Sequence, residues 1–195
     1  LKVLRHKGKS HGVKETRGKY SKGKSIRKRD KSVYSREEAG HWEADTVVSG
    51  QGKSKACFAT LAERKTRFYI AMKMSDRRAE TMENAIVAAL YAFPPQLVKT
   101  ITCDRGTEFA NWRRIEERLH CEVYFADPYC AWQKGTNENL NGLLREFYPK
   151  GRNLSRVAPA TLKRNLALLN ARPRKGLYFH SAQELWDFEL NSCST

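Results

Sequence analysis

The sequence predicts an α/β domain whose core is a mixed five-stranded sheet flanked by helices. In its first half, three short segments rich in β-branched and aromatic residues are separated by short turns, which favours antiparallel hairpins. In its second half, apolar strand-like segments alternate with helical ones, an order that implies parallel strands joined by crossovers. The length of 195 residues suits one domain with a core of its own.

The antiparallel half is predicted from residue types and turn signals. Strands are expected at residues 43–48, 56–63 and 68–74, with polar turns between them. A helix is expected at 79–92, because apolar residues recur there at helical spacing until a Pro-Pro pair stops it. That helix should cover one face of the sheet.

The second half carries two further strands and four helices. Residues 127–135, punctuated by Pro and Gly, are predicted to form a loop. Four apolar residues within 140–147 then recur at i, i+3, i+4 and i+7, which is typical of an amphipathic helix, and Thr136 is its expected N-cap. The remaining elements are strands at 98–103 and 121–125 and helices at 111–119, near 159–170 and near 181–189.

Positive charge is concentrated at the start of the chain. Lys and Arg number 37 against 21 Asp and Glu, and the first 34 residues hold 13 of the basic residues but only two acids. Residues 1–38 are poor in apolar side chains and are predicted to form a disordered basic arm or linker. The folded core is expected at 39–190, with a tail at 191–195. The formal net charge of +16 indicates a polyanionic partner, either nucleic acid or an anionic membrane surface.

Composition argues against several other classes of protein. The longest apolar stretch, 85–93, is far shorter than the roughly 20 residues that cross a bilayer, and no basic-then-apolar signal segment opens the chain. Five cysteines without a CxxC pair indicate neither a disulfide framework nor a cysteine-based zinc site. We therefore expect a cytoplasmic protein with reduced thiols and no membrane partner.

One acidic residue lies in the middle of the first predicted strand. In GHWEADTVV, strand alternation places Trp42 and Ala44 on one face of the sheet. Glu43, Asp45 and Val47 then lie on the opposite face. An acid among such apolar neighbours is unusual, which makes Asp45 a candidate metal ligand. Glu43 competes for that role, and an exposed strand face with both acids in water is the alternative.

Two further acids occupy positions where ligand sites form. Asp104 ends the apolar strand VKTITC, and the carboxyl ends of strands are where α/β proteins place such sites. A turn-initiating aspartate is the alternative. Glu138 falls in the first turn of the helix with the apolar stripe and projects away from that stripe; an acid favoured by the helix dipole is its alternative. Glu108, four residues after Asp104, is expected to have a structural or supporting role.

The order of the three acids is more specific than any one of them. One lies in the middle of the first strand, one ends the fourth and one opens a late helix, which is the order that builds a ribonuclease H-like site. Hard divalent cations prefer oxygen ligands, and carboxylates that converge stay ionised when a cation compensates them. Asp45, Asp104 and Glu138 are therefore predicted to hold two metal ions and to catalyse phosphodiester transfer.

The motifs around these acids resemble those of a known family. GHWEADTVV, ITCDRGTEF and ADPYCAWQKGTNENLNGLLREFYPKG, followed by LNARPRKGL, are similar to the bacterial transposases of the insertion-sequence-thirty family over residues 40–186. The 33 residues between Asp104 and Glu138 also match the spacing of that family. The resemblance implies a retroviral integrase-like ribonuclease H fold and a catalytic triad of Asp45, Asp104 and Glu138. It also implies two Mg²⁺ ions as the cofactor, with Mn²⁺ able to substitute.

The resemblance further implies a reaction and its partners. Water would be directed at a phosphodiester to free a 3′-hydroxyl at the end of the mobile element, and that hydroxyl would attack target DNA. The expected partners are the terminal inverted repeats, target DNA and further copies of the chain assembled on DNA, at the nucleoid of a bacterium. The family's helix-turn-helix region, which recognises the repeats, has no counterpart in this sequence. We therefore expect this chain by itself to lack sequence specificity.

Side chains near the third acid are candidates for contact with DNA. Asn141 and Arg145 follow it on the same side of the helix, and Lys134 and Asn137 precede it. All four are predicted to contact DNA phosphates beside the metal ions, and a solvated polar helix face is the alternative.

Two other functions stay open at this point. The chain is also compatible with a decayed or domesticated DNA-binding module that keeps the fold without the activity, because an intact triad does not prove catalysis. It is further compatible with a structure-selective nuclease that hydrolyses DNA without strand transfer. Trp132 has two interpretations as well: stacking on an unpaired base, or anchoring its loop in the core.

Overall fold

The computed structural model describes residues 23–193, and residues 1–22 and 194–195 lie outside the described part. Within that part, six strands form one mixed sheet in the order β1-β6-β5-β2-β3-β4, with helices on both faces. The strands are β1 (Lys24–Ser25), β2 (His41–Val48), β3 (Cys57–Glu63), β4 (Tyr69–Met74), β5 (Thr100–Cys103) and β6 (Glu122–Phe125). The helices are α1 (Ala79–Leu90), α2 (Trp112–Leu119), α3 (Gly135–Phe147), α4 (Pro159–Asn170) and α5 (Ala182–Ser192).

Strand pairing divides the sheet as the sequence predicted. β2, β3 and β4 form two antiparallel hairpins, whereas β5 pairs in parallel with both β2 and β6. The hairpins follow from the short turns, and the parallel pairs follow from the crossovers through α1 and α2. The five predicted strands are all present, each with bounds within two residues of those expected.

The sixth strand comes from the basic segment and corrects the sequence prediction. β1 pairs in parallel with β6, and the turns that follow it bury Ile26, Arg29 and Val33. The prediction of disorder is therefore wrong for residues 23–38, while residues 1–22 lie outside the described part. Two of the few apolar side chains in this segment are buried, and the low average hydropathy of the whole arm conceals them.

The apolar side chains pack in two clusters, one on each face of the sheet. One cluster contains Trp42 and Ala44 of β2 together with side chains from α1, α2 and α5. The other contains Val47 of β2 together with side chains from α3 and α4. The alternation predicted along β2 is thus confirmed. It turns Glu43 and Asp45 toward α3, which donates hydrogen bonds to both carboxylates.

The helices follow their local start and stop signals, with two corrections. α1 stops before the Pro-Pro pair, as predicted. A short 3₁₀ turn, Ala131–Lys134, runs directly into α3, so that Lys134 is the N-cap and Thr136 lies inside the first turn. α5 continues to Ser192, two residues into the predicted tail. None of the described helices is both long and apolar enough to span a membrane.

Replacing Ile26 tests whether the basic segment is part of the fold. Ile26 is 1% exposed, so Ile26→Ala should lower the free energy of unfolding by about 2–4 kcal/mol. Lys28 is exposed, so the control Lys28→Ala should change it by less than about 0.5 kcal/mol. Chemical denaturation of the wild type and both variants measures the difference. Equal stability of the two variants would contradict the docking of this segment.

Candidate active site

The three predicted acids line one open cleft of about 420 Å³. β2 and β5 are neighbours in the sheet, which brings Asp45 close to Asp104, and α3 packs on β2 with Glu138 in its first turn. Loops that follow β5 and β6 complete the walls. The other lining residues are Arg77, Arg105, Gly106, Glu108, Ala126, Asp127, Pro128, Tyr129, Cys130 and Lys134.

Asp45 is held by two neighbours on its face of the sheet. Its Oδ2 accepts a hydrogen bond from Asn141 Nδ2 at 2.9 Å, and its Oδ1 accepts one from Lys134 Nζ at 3.2 Å. Asn141 is itself fixed, because its Oδ1 accepts a 2.6 Å hydrogen bond from the Tyr69 hydroxyl. The Asp45 side chain stays 30% exposed. The protein therefore orients this carboxylate and leaves it open to the cleft.

Asp104 directly follows β5, and its side chain accepts a hydrogen bond within the turn that it begins. Its Oδ1 accepts a 2.8 Å hydrogen bond from the backbone N–H of Gly106, the pattern of an aspartate-initiated turn. A Cβ at Gly106 would lie 2.9 Å from that oxygen and would clash with the Glu108 carboxylate, so the close approach requires glycine. The turn fixes one oxygen of Asp104, and the side chain remains 49% exposed.

Glu138 enters the cleft from α3. It occupies the first turn of the helix, as predicted, and its side chain is exposed along the cleft wall. Leu140 and Leu144 of the same helix are buried in the apolar cluster, so Glu138 projects away from the core. Among the described residues it has no hydrogen-bond partner, which leaves both of its carboxylate oxygens available.

Lys134 places a positive charge between the two aspartates. Its Nζ lies 3.2 Å from Asp45 Oδ1 and 3.7 Å from Asp104 Oδ2, and it donates to the Ala44 carbonyl at 3.1 Å. Burial lowers the pKa of Lys134, but the charges of Asp45 and Asp104 outweigh that effect and raise the pKa above its usual value. The ammonium is therefore charged at neutral pH, and the two carboxylates converge on it.

The acids of the cleft fit a divalent cation by their chemistry. Asp45, Asp104 and Glu138 offer carboxylate oxygens, the donors that magnesium and manganese prefer. Across residues 23–193, no group of three or more His, Cys, Asp or Glu side chains lies close enough to hold a metal ion as it stands. The Lys134 ammonium lies between two of the acids. Binding of a metal by all three acids therefore requires side-chain movement, which the exposed and unpaired Glu138 permits.

A buried polar network fastens α3 to the sheet beneath the cleft. Asn137 donates through Nδ2 to the carbonyls of Glu43, at 2.6 Å, and Thr60, at 3.2 Å. The backbone N–H of Asn137 donates to the Glu43 carboxylate at 2.9 Å, and Arg64 forms a salt bridge with that carboxylate. Asn137 and Glu43 are 0% exposed. The prediction that Asn137 contacts DNA is therefore wrong, and Glu43 is not an open acid of the site.

DNA contact by Lys134, Asn141 and Arg145 stays a prediction, and each of these side chains also binds within the protein. Lys134 and Asn141 both donate to Asp45. Arg145, which is half-buried, donates to two backbone carbonyls, one of them that of Val48. The polar side of α3 that the sequence predicted thus faces β2.

Glu108 and Arg77 form a salt bridge at the rim of the cleft, and only Glu108 was singled out from the sequence. Glu108 is buried and accepts from Arg77 at 2.7 Å and from Thr46 at 3.2 Å, which is the supporting role expected of it. Arg77 was missed, because it lies in a charged turn without a motif. Trp132 is 72% exposed, so the interpretation that it anchors its loop in the core is wrong.

Comparison with known proteins identifies relatives of this chain. A family model described as the integrase core domain matches residues 35–131, which include Asp45 and Asp104. The chain is 37% identical over 165 residues to the probable transposase for insertion-like sequence element IS1161 of Streptococcus salivarius, covering 85% of this chain and 46% of that protein. It is 36% identical over 184 residues to transposase InsI for insertion sequence element IS30C of Escherichia coli (strain K12), covering 93% and 47%. The chain thus spans about half the length of these curated relatives.

Solved structures share the fold at low sequence identity. The catalytic core domain of BIV integrase covers 80% of this chain and 99% of its own, with a TM-score of 0.60 and 16% identity. The HTLV-2 integrase catalytic core domain in complex with magnesium covers 75% and 95%, with a TM-score of 0.55 and 12% identity. The fold is therefore the ribonuclease H-like fold of integrase catalytic cores, as predicted. The sequence comparisons confirm the predicted resemblance to the transposases of the insertion-sequence-thirty family.

Two asparagines of α3 allow a matched test of the buried network. Asn137→Ala removes three hydrogen bonds and leaves the Glu43 and Thr60 carbonyls buried without this donor, so it should lower the free energy of unfolding by about 2–3 kcal/mol. Asn139 is exposed, so Asn139→Ala should change it by less than about 0.5 kcal/mol. Urea denaturation of both variants measures the contrast, and a stable Asn137→Ala protein would rule out the proposed role of the network.

Proposed function

We propose that this chain is the catalytic domain of a DNA transposase. Asp45, Asp104 and Glu138 would carry hydrolysis at the ends of a mobile element and transfer of the freed 3′-hydroxyl into target DNA. The observation that carries the proposal is the convergence of Asp45 and Asp104 on the Lys134 ammonium in a cleft that Glu138 also lines. The similarity of the chain to transposases of insertion sequence elements supports it.

Magnesium is the proposed cofactor, and manganese should replace it. Asp45, Asp104 and Glu138 would be the ligands, and a pair of bound ions would supply activation of the nucleophile and stabilisation of the leaving oxygen. The magnesium complex of the HTLV-2 integrase core, which shares the fold, is consistent with this choice.

The surrounding residues would hold the reacting groups in place. Asn141, fixed by the Tyr69 hydroxyl, keeps the Asp45 carboxylate in one orientation. Lys134 offers positive charge to the non-bridging oxygens of a phosphate that enters the cleft, and the burial of the Lys134 side chain strengthens the interaction. Arg77 has a half-exposed side chain at the rim of the cleft and would add a second cation beside the DNA backbone.

DNA is the proposed partner, and attraction between the basic protein and the DNA phosphates is the proposed source of affinity. The net charge of +16 supports salt-dependent binding to phosphates without sequence preference. Terminal repeats and target DNA are the proposed substrates, several copies of the chain would assemble on them, and the bacterial cytoplasm, at the nucleoid, is the proposed location. Selection of the repeats is proposed to belong to a part of the protein other than these residues.

Replacing one acid tests the proposed chemistry. With the chain joined to a module that binds terminal repeats, Asp104→Asn should reduce nicking and strand transfer in Mg²⁺ or Mn²⁺ by about 100-fold or more, because one metal ligand loses its charge. Asp187 lies on α5, away from the cleft, so Asp187→Asn should leave both activities unchanged. Labelled donor DNA with a plasmid target measures both steps, and filter binding should give the same DNA affinity for the two variants.

The same assay separates the alternative functions. Equal activity of Asp104→Asn and Asp187→Asn would overturn the triad. Hydrolysis without strand transfer would favour a structure-selective nuclease. The absence of both activities, together with no heat of Mn²⁺ binding in calorimetry, would favour a non-catalytic DNA-binding module.

Asn141 holds Asp45 and Tyr69 holds Asn141, so replacing either should lower activity, and by different amounts. Asn141→Ala removes the donor that orients Asp45 and should reduce strand transfer by about 10–100-fold. Tyr69→Phe removes only the hydroxyl that fixes Asn141, so its effect should have the same direction and a smaller size. Single-turnover rates with saturating DNA measure both. Full activity of Asn141→Ala would show that Asp45 needs no such support.

A further inference from the structure

A second pocket, of about 280 Å³, lies on the other side of the first turn of α3 from the catalytic cleft. Lys134 and Glu138 face the cleft, whereas Thr136 and Asn139 line the second pocket. The helical step of 100° per residue explains this division, because positions 136 and 139 point to a different side from position 138. Two separate concave surfaces therefore flank the same helix end.

Three arginines line this second pocket, here called the arginine pocket: Arg36, Arg67 and Arg174. They come from three distant parts of the chain. Arg36 precedes β2, Arg67 lies in the turn between β3 and β4, and Arg174 belongs to the LNARPRKGL block between α4 and α5. Gathering three guanidinium groups in one place costs electrostatic free energy unless an anion joins them.

The protein itself does not supply that anion within residues 23–193. None of the three arginines forms a salt bridge with a described carboxylate. Two buried acids, Glu43 and Glu63, act on Arg67 through their charge but bind elsewhere: Glu43 pairs with Arg64, and Glu63 accepts from the backbone N–H of Gly40 and from Thr66. The positive charge of the arginine pocket is therefore offset only in part within the protein, which leaves it available to a ligand.

Two of the three guanidinium groups are held in place, and all three still have donors to spare. Arg67 donates through Nη1 to the Arg64 carbonyl and to Thr136 Oγ1. Arg174 donates to the carbonyls of Arg67 and Leu169, and its buried Nε has no partner among the described residues. Arg36 makes no hydrogen bond to any described residue. The cluster is thus largely preorganised, as an anion site requires.

The arginines keep their charge despite their surroundings. Burial, followed by the charge of Arg36, lowers the pKa of Arg67 to about 10. Burial also lowers the pKa of Arg36 and of Arg174. A pKa of about 10 still leaves Arg67 protonated near neutral pH, and guanidinium groups match the oxygens of a phosphate with paired hydrogen bonds.

We propose that the arginine pocket binds one phosphate group of the DNA backbone, on a strand that crosses the first turn of α3 beside the catalytic cleft. The inference rests on the proposed function for the identity of the polyanion, and on Arg36, Arg67 and Arg174 for the site. The bound phosphate compensates the three cations and fixes the position of the strand relative to Glu138 on the other side of the turn. This contact positions DNA and carries no base specificity.

The test measures DNA binding at several salt concentrations, using the whole chain and a fluorescent duplex of random sequence in EDTA. Arg36→Gln removes one cation of the pocket without breaking a described hydrogen bond. It should weaken binding about tenfold and reduce the slope of log affinity against log salt by about 0.9. Asn139→Asp adds a negative charge at the exposed rim and should weaken binding in the same direction. Arg114→Gln is the matched control, because Arg114 lies on α2, pairs with Glu83 and does not line the pocket.

The outcomes distinguish binding of a phosphate in the arginine pocket from general attraction of DNA to surface charge. They also do not depend on the proposed catalysis. Equal loss of slope in Arg36→Gln and Arg114→Gln would overturn the arginine pocket, as would unchanged binding in both Arg36→Gln and Asn139→Asp. Inorganic phosphate is titrated in parallel by thermal unfolding. If phosphate stabilises the wild type but Arg36→Gln keeps the full salt slope with DNA, the pocket takes free phosphate and the assignment to DNA is wrong. Because EDTA removes metal, failure of the Asp104 experiment leaves this result intact, and the reverse also holds.

Discussion

The attachment of α3 to the sheet through Asn137 is the interaction on which both the cleft and the arginine pocket depend. Its amide binds the carbonyls of β2 and β3, and its backbone N–H binds the Glu43 carboxylate. A buried carboxylate is costly unless it is paired and hydrogen-bonded, and Arg64 and Asn137 together meet that need. Glu138 and Asn139, the next two residues, then point about 100° apart around the helix, Glu138 into the cleft and Asn139 into the arginine pocket.

Much of this arrangement could be predicted, because the relevant signals are local. Alternation along β2 fixes the face of Asp45, the apolar run before Asp104 fixes the end of β5, and the apolar stripe of α3 fixes the direction of Glu138. Asn137 could not be assigned in the same way. Its position beside Glu138 suggests a solvated neighbour, whereas the carbonyls that it binds belong to β2 and β3, far away in the sequence.

The prediction of disorder in the basic segment is wrong for the same reason, because this segment pairs with β6, far away in the sequence. Composition averages over a whole stretch, but docking depends on a few buried side chains, such as Ile26 in the turn beside β6, and Val33. The arginine pocket is a further case, because Arg36, Arg67 and Arg174 meet only in the folded chain. Long-range assembly, and not local propensity, decides each of these features. The low identity to retroviral integrase cores, with the fold retained, fits this view.

We propose that Asp45, Asp104 and Glu138 form one metal site. A crystal of the protein soaked with Mn²⁺ tests it most directly, through anomalous scattering at the manganese edge. We expect a manganese peak between Asp45 and Asp104, with Glu138 turned toward it and the Lys134 ammonium moved aside. A cleft without a peak at saturating Mn²⁺, with Lys134 still between the two aspartates, would contradict it.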